Sequence, residues 1–190
     1  GGVGVDLSQV FLAAARERAV ELGVSERVSF ERGDAGAYAA EPGAFDVVSC
    51  IGATWIGGGF AGTVDLLRPA LRAGGLMLIG EPYWTEQAPD EALEAMGVER
   101  EDFASPAGTL DRIEAAGMDL VEMVLADGDS ADRYAAEKWF AISDWLRAGN
   151  ADHPDAADMR QFLEHDRRTH LTWARRYMGW GVFVLREAVR

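Results

Sequence analysis

A single cysteine, a single lysine and three histidines stand among 190 residues. The lone Cys50 excludes an intramolecular disulfide framework and suits a reducing cytoplasm, the expected location. One cysteine and three histidines with no ligand-like spacing give no reason to expect a metal. Basic residues are also scarce, 18 against 32 acidic, for a net charge of −14. Nucleic acid and anionic membrane surfaces call for a basic face, so neither is expected as a partner. No apolar run approaches the ~20 residues that a membrane-spanning helix needs. A phosphate loop is missing too: Gly57-Gly58-Gly59 lacks the Lys-Ser/Thr ending, and Gly2-x-Gly4 runs into a strand where a nucleotide-binding turn would run into a helix.

What is present is ample apolar material, 48% of the residues, enough for one core and one domain over 1–190. Val3 to Asp6 reads as a strand ending in an acid. Ser8 is placed to cap a helix with Phe11, Ala14, Ala15 and Leu22 on its inner face, and Gly23 supplies the left-handed stop. A strand from Arg27 to Glu31 ends in Gly33-Asp34-Ala35. Residues 45–50 form a third strand, which breaks into the small-residue loop Ile51-Gly52-Ala53-Thr54-Trp55. A helix from about Phe60 carries Val64, Leu67 and Leu71 on one face, is interrupted by Pro69 and stops at Gly74-Gly75. Leu76 to Ile79 is a buried strand ending in Gly80-Glu81-Pro82-Tyr83-Trp84. This alternation predicts an α/β fold with a doubly wound parallel sheet.

The pattern then changes. Residues 85–104 are polar, broken by Pro89 and Gly97, and read as a lid-like insertion with a short helix. Ser105-Pro106 starts a further helix. A strand from Leu120 to Leu125 and one from Gly181 to Leu185 are separated by residues 126–178, an insertion with two amphipathic helices.

Several short motifs follow predicted strands, and in open parallel sheets ligands lie outside the carboxyl ends of the strands. Asp6 there is either a ribose ligand or an aid to capping the next helix. Asp34 either accepts from an adenine amino group or makes an ordinary Asp turn. Glu81 either orients an acceptor or takes its proton, or else caps a lid element. Trp55, Tyr83 and Trp84 either wall a pocket, where a cation gains from an aromatic face, or pack the lid. His170 stands one helical turn from Asp166, so the two form either an oriented base or a partly buried contact. Cys50, in a buried strand, reads as a core residue. Arg160, Arg167, Arg168, Arg175 and Arg176 read as a solvated helix face paired with acids, or as a grip on an anionic substrate group.

Gly4-Val5-Asp6-Leu7-Ser8, Gly33-Asp34-Ala35, Phe45-Asp46-Val47-Val48 and Leu67-Arg68-Pro69 with Gly74-Gly75-Leu76 occur in an order that resembles class I S-adenosylmethionine-dependent methyltransferases. Gly52-Ala53-Thr54-Trp55, Gly80-Glu81-Pro82-Tyr83-Trp84 and Gly179-Trp180-Gly181-Val182-Phe183 resemble a narrower set of small bacterial ones. The resemblance implies a Rossmann-like sheet with a C-terminal antiparallel hairpin and S-adenosylmethionine as cofactor. It also implies methyl transfer to a small-molecule acceptor, with 85–104 and 126–178 forming the acceptor pocket. Asp6 would hold the ribose, with Leu7 against the adenine. Asp34 would meet the adenine amino group beside Ala35, and Ile51 and Gly52 would border the methionine part. A nicotinamide-dependent oxidoreductase and a degenerate, non-catalytic binding protein are the alternatives.

The family's first strand and glycine loop find no match here. The 190 residues are therefore expected to be a truncated domain, with Val3–Asp6 and Phe45–Cys50 each lacking a partner on one edge.

Overall fold

In the computed structural model, which describes residues 1–189, the sheet is divided in two. β1 (Gly2–Asp6) and β2 (Val28–Arg32) form a parallel pair. They are joined by α1 (Gln9–Glu21), whose N-cap Ser8 accepts from the Phe11 amide and which is closed by left-handed Gly23. The second sheet has the order β3-β4-β6-β5. Its strands are β3 (Phe45–Ile51), β4 (Leu71–Trp84), β5 (Met118–Leu125) and β6 (Met178–Glu187). β3 runs parallel to β4, whereas β6 lies antiparallel between β4 and β5. The expected alternation and the closing hairpin are therefore both present.

Two local readings need correction. The inner face of α1 carries Leu12 and Ala19, whereas Phe11 is 68% exposed. With only the β1–β2 pair beneath it, the helix buries one narrow line seven residues apart, and the wider stripe is left to solvent. Nor does Gly74-Gly75 stop a helix. α2 (Phe60–Leu67) ends in a 3-10 turn at Arg68–Ala70 that contains Pro69, and Leu71 already belongs to β4. The glycines sit inside the strand at a register shift, Phe45↔Leu71 followed by Val47↔Leu76. Gly74 takes a φ of 75°, and a Cβ on Gly75 would lie 2.8 Å from the Asp46 carbonyl oxygen. A backbone bulge against a neighbouring strand requires both features.

Side chains alternating along β4 and β6 make the main core. Met77, Ile79, Phe183 and Leu185 are fully buried with Val64 of α2 and with Ile113 of α4 (Pro106–Ala115). Burial of each stabilises the fold by about 1.5–3 kcal/mol relative to exposure. A second cluster, Trp84, Ala88, Ala92 and Tyr177, pins α3 (Asp90–Met96) to the end of β4. Between β5 and β6 the chain forms α5 (Gly128–Arg147) and α6 (Ala156–Thr169). α6 continues through a π-helical stretch, His170–Ala174, into a last turn at Arg175–Tyr177. No described helix is long and apolar enough to cross a membrane.

Between the two sheets lies a cavity of about 740 Å³, lined on one side by Gly1 to Val3 and on the other by Ala44 to Val47. Among the described residues, β1 pairs only with β2, and β3 only with β4. The unpaired edges expected for these two strands are thus found facing one another. Half-exposed Val47 lies along this gap. Such an edge templates association, and a charge on it opposes pairing. Val47→Lys is expected to reduce the light scattering of concentrated solutions while the far-ultraviolet circular dichroism stays the same. Scattering unchanged by the substitution would place the association elsewhere.

Candidate active site

The carboxyl ends of β1 to β4 lie on one rim, interrupted between the two sheets. At its β1–β2 side, the Gly33 amide donates to the Asp6 carbonyl at 3.1 Å, so the two expected acids sit on adjoining strand ends. Asp6 Oδ1 accepts from the Ser8 amide at 2.7 Å, and Asp34 Oδ1 accepts from the Gly36 amide at 2.8 Å. Each carboxylate therefore caps its own turn with one oxygen. The second oxygen of each has no protein hydrogen-bond partner among the described residues. Capping and ligand binding are compatible here, because a carboxylate has two oxygens with two lone-pair sites each. Leu7 is exposed beside Asp6, and Ala35 follows Asp34 at intermediate burial.

At the β3 end, the Gly52 amide donates to the Gly80 carbonyl at 2.8 Å, prolonging the β3–β4 ladder by one bond. Gly52 has a φ of 75°, and a Cβ there would meet the Trp180 ring at 3.3 Å. Ile51 is 53% exposed next to it. Trp55 stands 74% exposed on a 3-10 turn, Thr54–Gly57. That turn is held from below by the Thr63 hydroxyl, which donates to the Thr54 carbonyl at 2.8 Å. Trp180 therefore belongs to the rim, although sequence reasoning gave it no role. The available signal was Gly52, whose missing side chain leaves room for the indole.

Tyr83 and Trp84 are not pocket walls. Both are 8% exposed. The Tyr83 ring fills the space over Gly179, where a Cβ would overlap it. Trp84 donates from Nε1 to the Arg100 carbonyl at 2.9 Å and packs edge-on against Phe103. Once 85–104 folds back over the end of β4, these aromatics become the plug beneath the lid. The exposed aromatic surface falls to Trp55 and the partly buried Trp180.

Glu81 lies on the same side of β4 as Ile79 and Tyr83, turned under the rim, and is 1% exposed. This overturns a direct encounter between Glu81 and an acceptor in this conformation. Its Oε1 is buried without a hydrogen-bond partner, a combination shared among the described residues only with Thr109 Oγ1. Burial raises the Glu81 pKa above the usual carboxylate value; the Thr54 side chain and, more weakly, the Arg112 guanidinium oppose the rise. Burial likewise raises the thiol of neighbouring Cys50, with a smaller contribution from Glu81 itself, in keeping with an inert core residue.

In the 126–178 insertion, His170 does not pair with Asp166. Its Nε2 lies 3.0 Å from Asp132 Oδ1 on α5, and Arg175 Nε donates to both oxygens of that carboxylate at 3.1 and 2.9 Å. Hydrogen bonds from His170 and then Arg175 hold Asp132 below the ordinary range. Asp166 instead accepts from Lys138 Nζ at 2.7 Å and Trp139 Nε1 at 2.6 Å. Its burial works to raise the pKa, but these bonds outweigh it and the carboxyl stays low. Trp139 also meets the His170 ring edge-on at 5.5 Å. The arginine cluster divides: Arg175 pairs with Asp132 and Arg176 with Glu86. Arg160, Arg167 and Arg168 line a cavity of about 470 Å³ on α6.

Residues 2–75 match a family model described as a methyltransferase domain. The chain is 48% identical over 186 residues to an uncharacterized Escherichia coli K12 protein, YjhP, covering 97% of this chain and 74% of that protein. Two solved structures superpose with TM-scores of 0.92. One is a SAM-dependent methyltransferase from Geobacter sulfurreducens in complex with S-adenosyl-L-homocysteine, 44% identical over 98% of this chain and 75% of that one. The other is a SAM-dependent methyltransferase from Thiobacillus denitrificans with the same ligand, 41% identical over 98% and 75%.

A raised carboxyl pKa has a definite consequence for stability. The native state keeps the Glu81 proton in a pH window where the unfolded chain releases it. Stability therefore falls as pH rises from the unfolded value through the folded one, and the loss is complete above it. Glu81→Gln cannot ionise. Its melting temperature relative to the parent is expected to rise with pH across that window. A difference independent of pH would mean that the carboxyl is not held neutral.

Proposed function

The chain belongs to the S-adenosylmethionine-dependent methyltransferases, and from that premise we propose that its strand-end rim binds S-adenosylmethionine and presents the methyl group to a small-molecule acceptor. The observation that carries the reading is the pair of carboxylates on adjoining strand ends, Asp6 and Asp34, each with one oxygen engaged and one without a protein partner. Two acceptor groups flanked by exposed Leu7 and small Ala35 fit an adenosine: hydroxyls at Asp6, an amino group at Asp34, and an apolar ring face at Leu7. Ile51 and Gly52 border the methionine part, where the absence of a side chain on Gly52 lets a ligand approach the strand ends.

When bound, S-adenosylmethionine supplies a methyl group on a sulfonium, which leaves readily in an in-line displacement. The work of this chain is then to position and to exclude water. Trp55 and Trp180 stand over the β3 end, where an aromatic face favours positive charge by about 0.5–2 kcal/mol. The acceptor side is formed by 85–104 and 126–178, which rise from the same ends of β4, β5 and β6. If the acceptor must lose a proton, His170 is the base. Its Nε2 is engaged by Asp132, and its other ring nitrogen is the one that takes the proton. A chain of net charge −14 supports a small molecule over nucleic acid, and the lone Cys50 supports a cytoplasmic setting.

The nicotinamide-dependent reading gives way to this one. Asp6 suits a ribose in either case, but an acid at Asp34 and the antiparallel β5–β6 pair favour the methyltransferase arrangement.

Asp6→Ala removes a charged acceptor, and a hydrogen bond to such a group is worth about 1.5–3 kcal/mol. Calorimetric titration with S-adenosylmethionine is expected to show affinity lower by roughly ten- to hundredfold. Unchanged affinity would remove Asp6 from the site.

A further inference from the structure

Glu81 is the one acidic side chain that is fully buried among the described residues. Its carboxyl is enclosed, and one oxygen faces no donor. If packing were its whole purpose, an apolar side chain of the same volume would serve better, because a buried polar group without a partner is a net cost. Its place in the fold is specific. β3 and β4 are in register at Ile51↔Gly80, and the Gly52 amide bonds the Gly80 carbonyl at 2.8 Å. Glu81 is the next residue along β4, so its backbone lies about one strand spacing, roughly 5 Å, from Gly52. Thr54, beside its carboxyl, begins the turn that presents Trp55. A positive charge resting on Gly52 is therefore separated from Glu81 by protein rather than by water, and such a charge acts strongly across a few ångströms of interior.

We propose that Glu81 is a charge-sensing residue of the cofactor site, uncharged when no cation lies on the rim and ionised when a sulfonium does, its proton passing to solvent. The inference rests on the cofactor reading above. Glu81 touches neither cofactor nor acceptor; it is a positioning residue that acts through the field across the β3–β4 ladder and through Thr54. Its surroundings leave it room to respond. The groups facing it are the Cys50 thiol on β3, the Thr54 side chain on the turn after β3 and the Arg112 guanidinium on α4, and its partner on β6 is Gly181. Only Arg112 carries a fixed positive charge. It is committed to the Glu101 and Asp102 carbonyls at 2.8 and 3.3 Å, so no ion pair already satisfies the carboxyl. Burial, the largest influence on Glu81, favours the neutral form.

The functional meaning is discrimination between substrate and product forms of the cofactor. S-adenosylmethionine carries the sulfonium charge and S-adenosylhomocysteine does not. An ionisable group beneath the sulfur favours the first and, on regaining its proton, loses its hold on the second.

The test is calorimetric titration of the whole protein and of Glu81→Gln with each nucleoside, in buffers of different ionisation enthalpy, from about pH 5 to about pH 9, the span reached by buried carboxyls. The difference between the two proteins is the readout, so protons leaving the ligands' own amino groups cancel. The parent is expected to release up to about one proton more than Glu81→Gln on binding S-adenosylmethionine, and no more than Glu81→Gln on binding S-adenosylhomocysteine. The ratio of its preference for S-adenosylmethionine to that of Glu81→Gln should rise with pH by up to about tenfold per unit within the linked window. An excess of parent over Glu81→Gln that is the same with both nucleosides, or no excess with S-adenosylmethionine, would overturn the proposal while leaving the cofactor site standing. Binding of neither nucleoside would overturn the cofactor site and this inference together. Should Glu81→Gln fail to fold, Glu81→Met, which likewise cannot ionise, replaces it in the same comparison.

Discussion

The hydrogen bond from the Gly52 amide to the Gly80 carbonyl closes the parallel ladder of β3 and β4, and much of the molecule is arranged around that closure. It fixes the height at which β3 stops and β4 continues. Past this point β3 turns through a left-handed glycine into the Trp55 loop, while β4 runs on for four residues to Trp84. β6 is paired with that overhang from Met178↔Trp84 back to Met77↔Leu185. Trp180 is thereby brought over Gly52, and the 126–178 insertion rises from the same side as the lid. A one-residue slip in this pairing would turn Ile79, Glu81 and Tyr83 to the opposite face and empty the core.

The same pairing accounts for the strain that Glu81 introduces. Met77, Ile79, Glu81 and Tyr83 share one face by the period of two that every strand obeys. The sheet must bury that face under α2 and α4, so the carboxyl is carried inward with its apolar neighbours. Most proteins avoid such a placement unless the group is paired or used. The enclosed acid lies beside the end of the β3–β4 ladder, and the proposal of a charge-sensing role starts from that coincidence.

Caps and strand ends were legible in the sequence because their chemistry is local. Ser8, Gly23 and Ser105-Pro106 act within a few residues of themselves, and each sits where its side chain or φ demands. Gly74-Gly75 misled because a helix stop and a strand bulge both exploit a left-handed glycine, and only the neighbouring Asp46 carbonyl distinguishes them. Tyr83 and Trp84 carried one signal, aromatics at a strand end, for two outcomes; which applied depended on whether 85–104 would fold back over them. The partner of His170 was beyond reach for a related reason. Helical spacing points to Asp166, yet Asp132, 38 positions away, is the group it meets. Contacts that cross between elements leave little trace in the local pattern. The placing of Asp6 and Asp34 on adjoining strand ends, by contrast, needed only the alternation of strands and helices.

The most direct test of the cofactor assignment is a crystal structure of this protein with S-adenosyl-L-homocysteine bound. The adenosine is predicted to lie across the ends of β1 and β2, its ribose hydroxyls within hydrogen-bond distance of the free Asp6 oxygen and its amino group at Asp34, with the sulfur over Gly52 between Trp55 and Trp180. A nucleoside seated elsewhere, with both carboxylates facing water, would contradict the placement of the site.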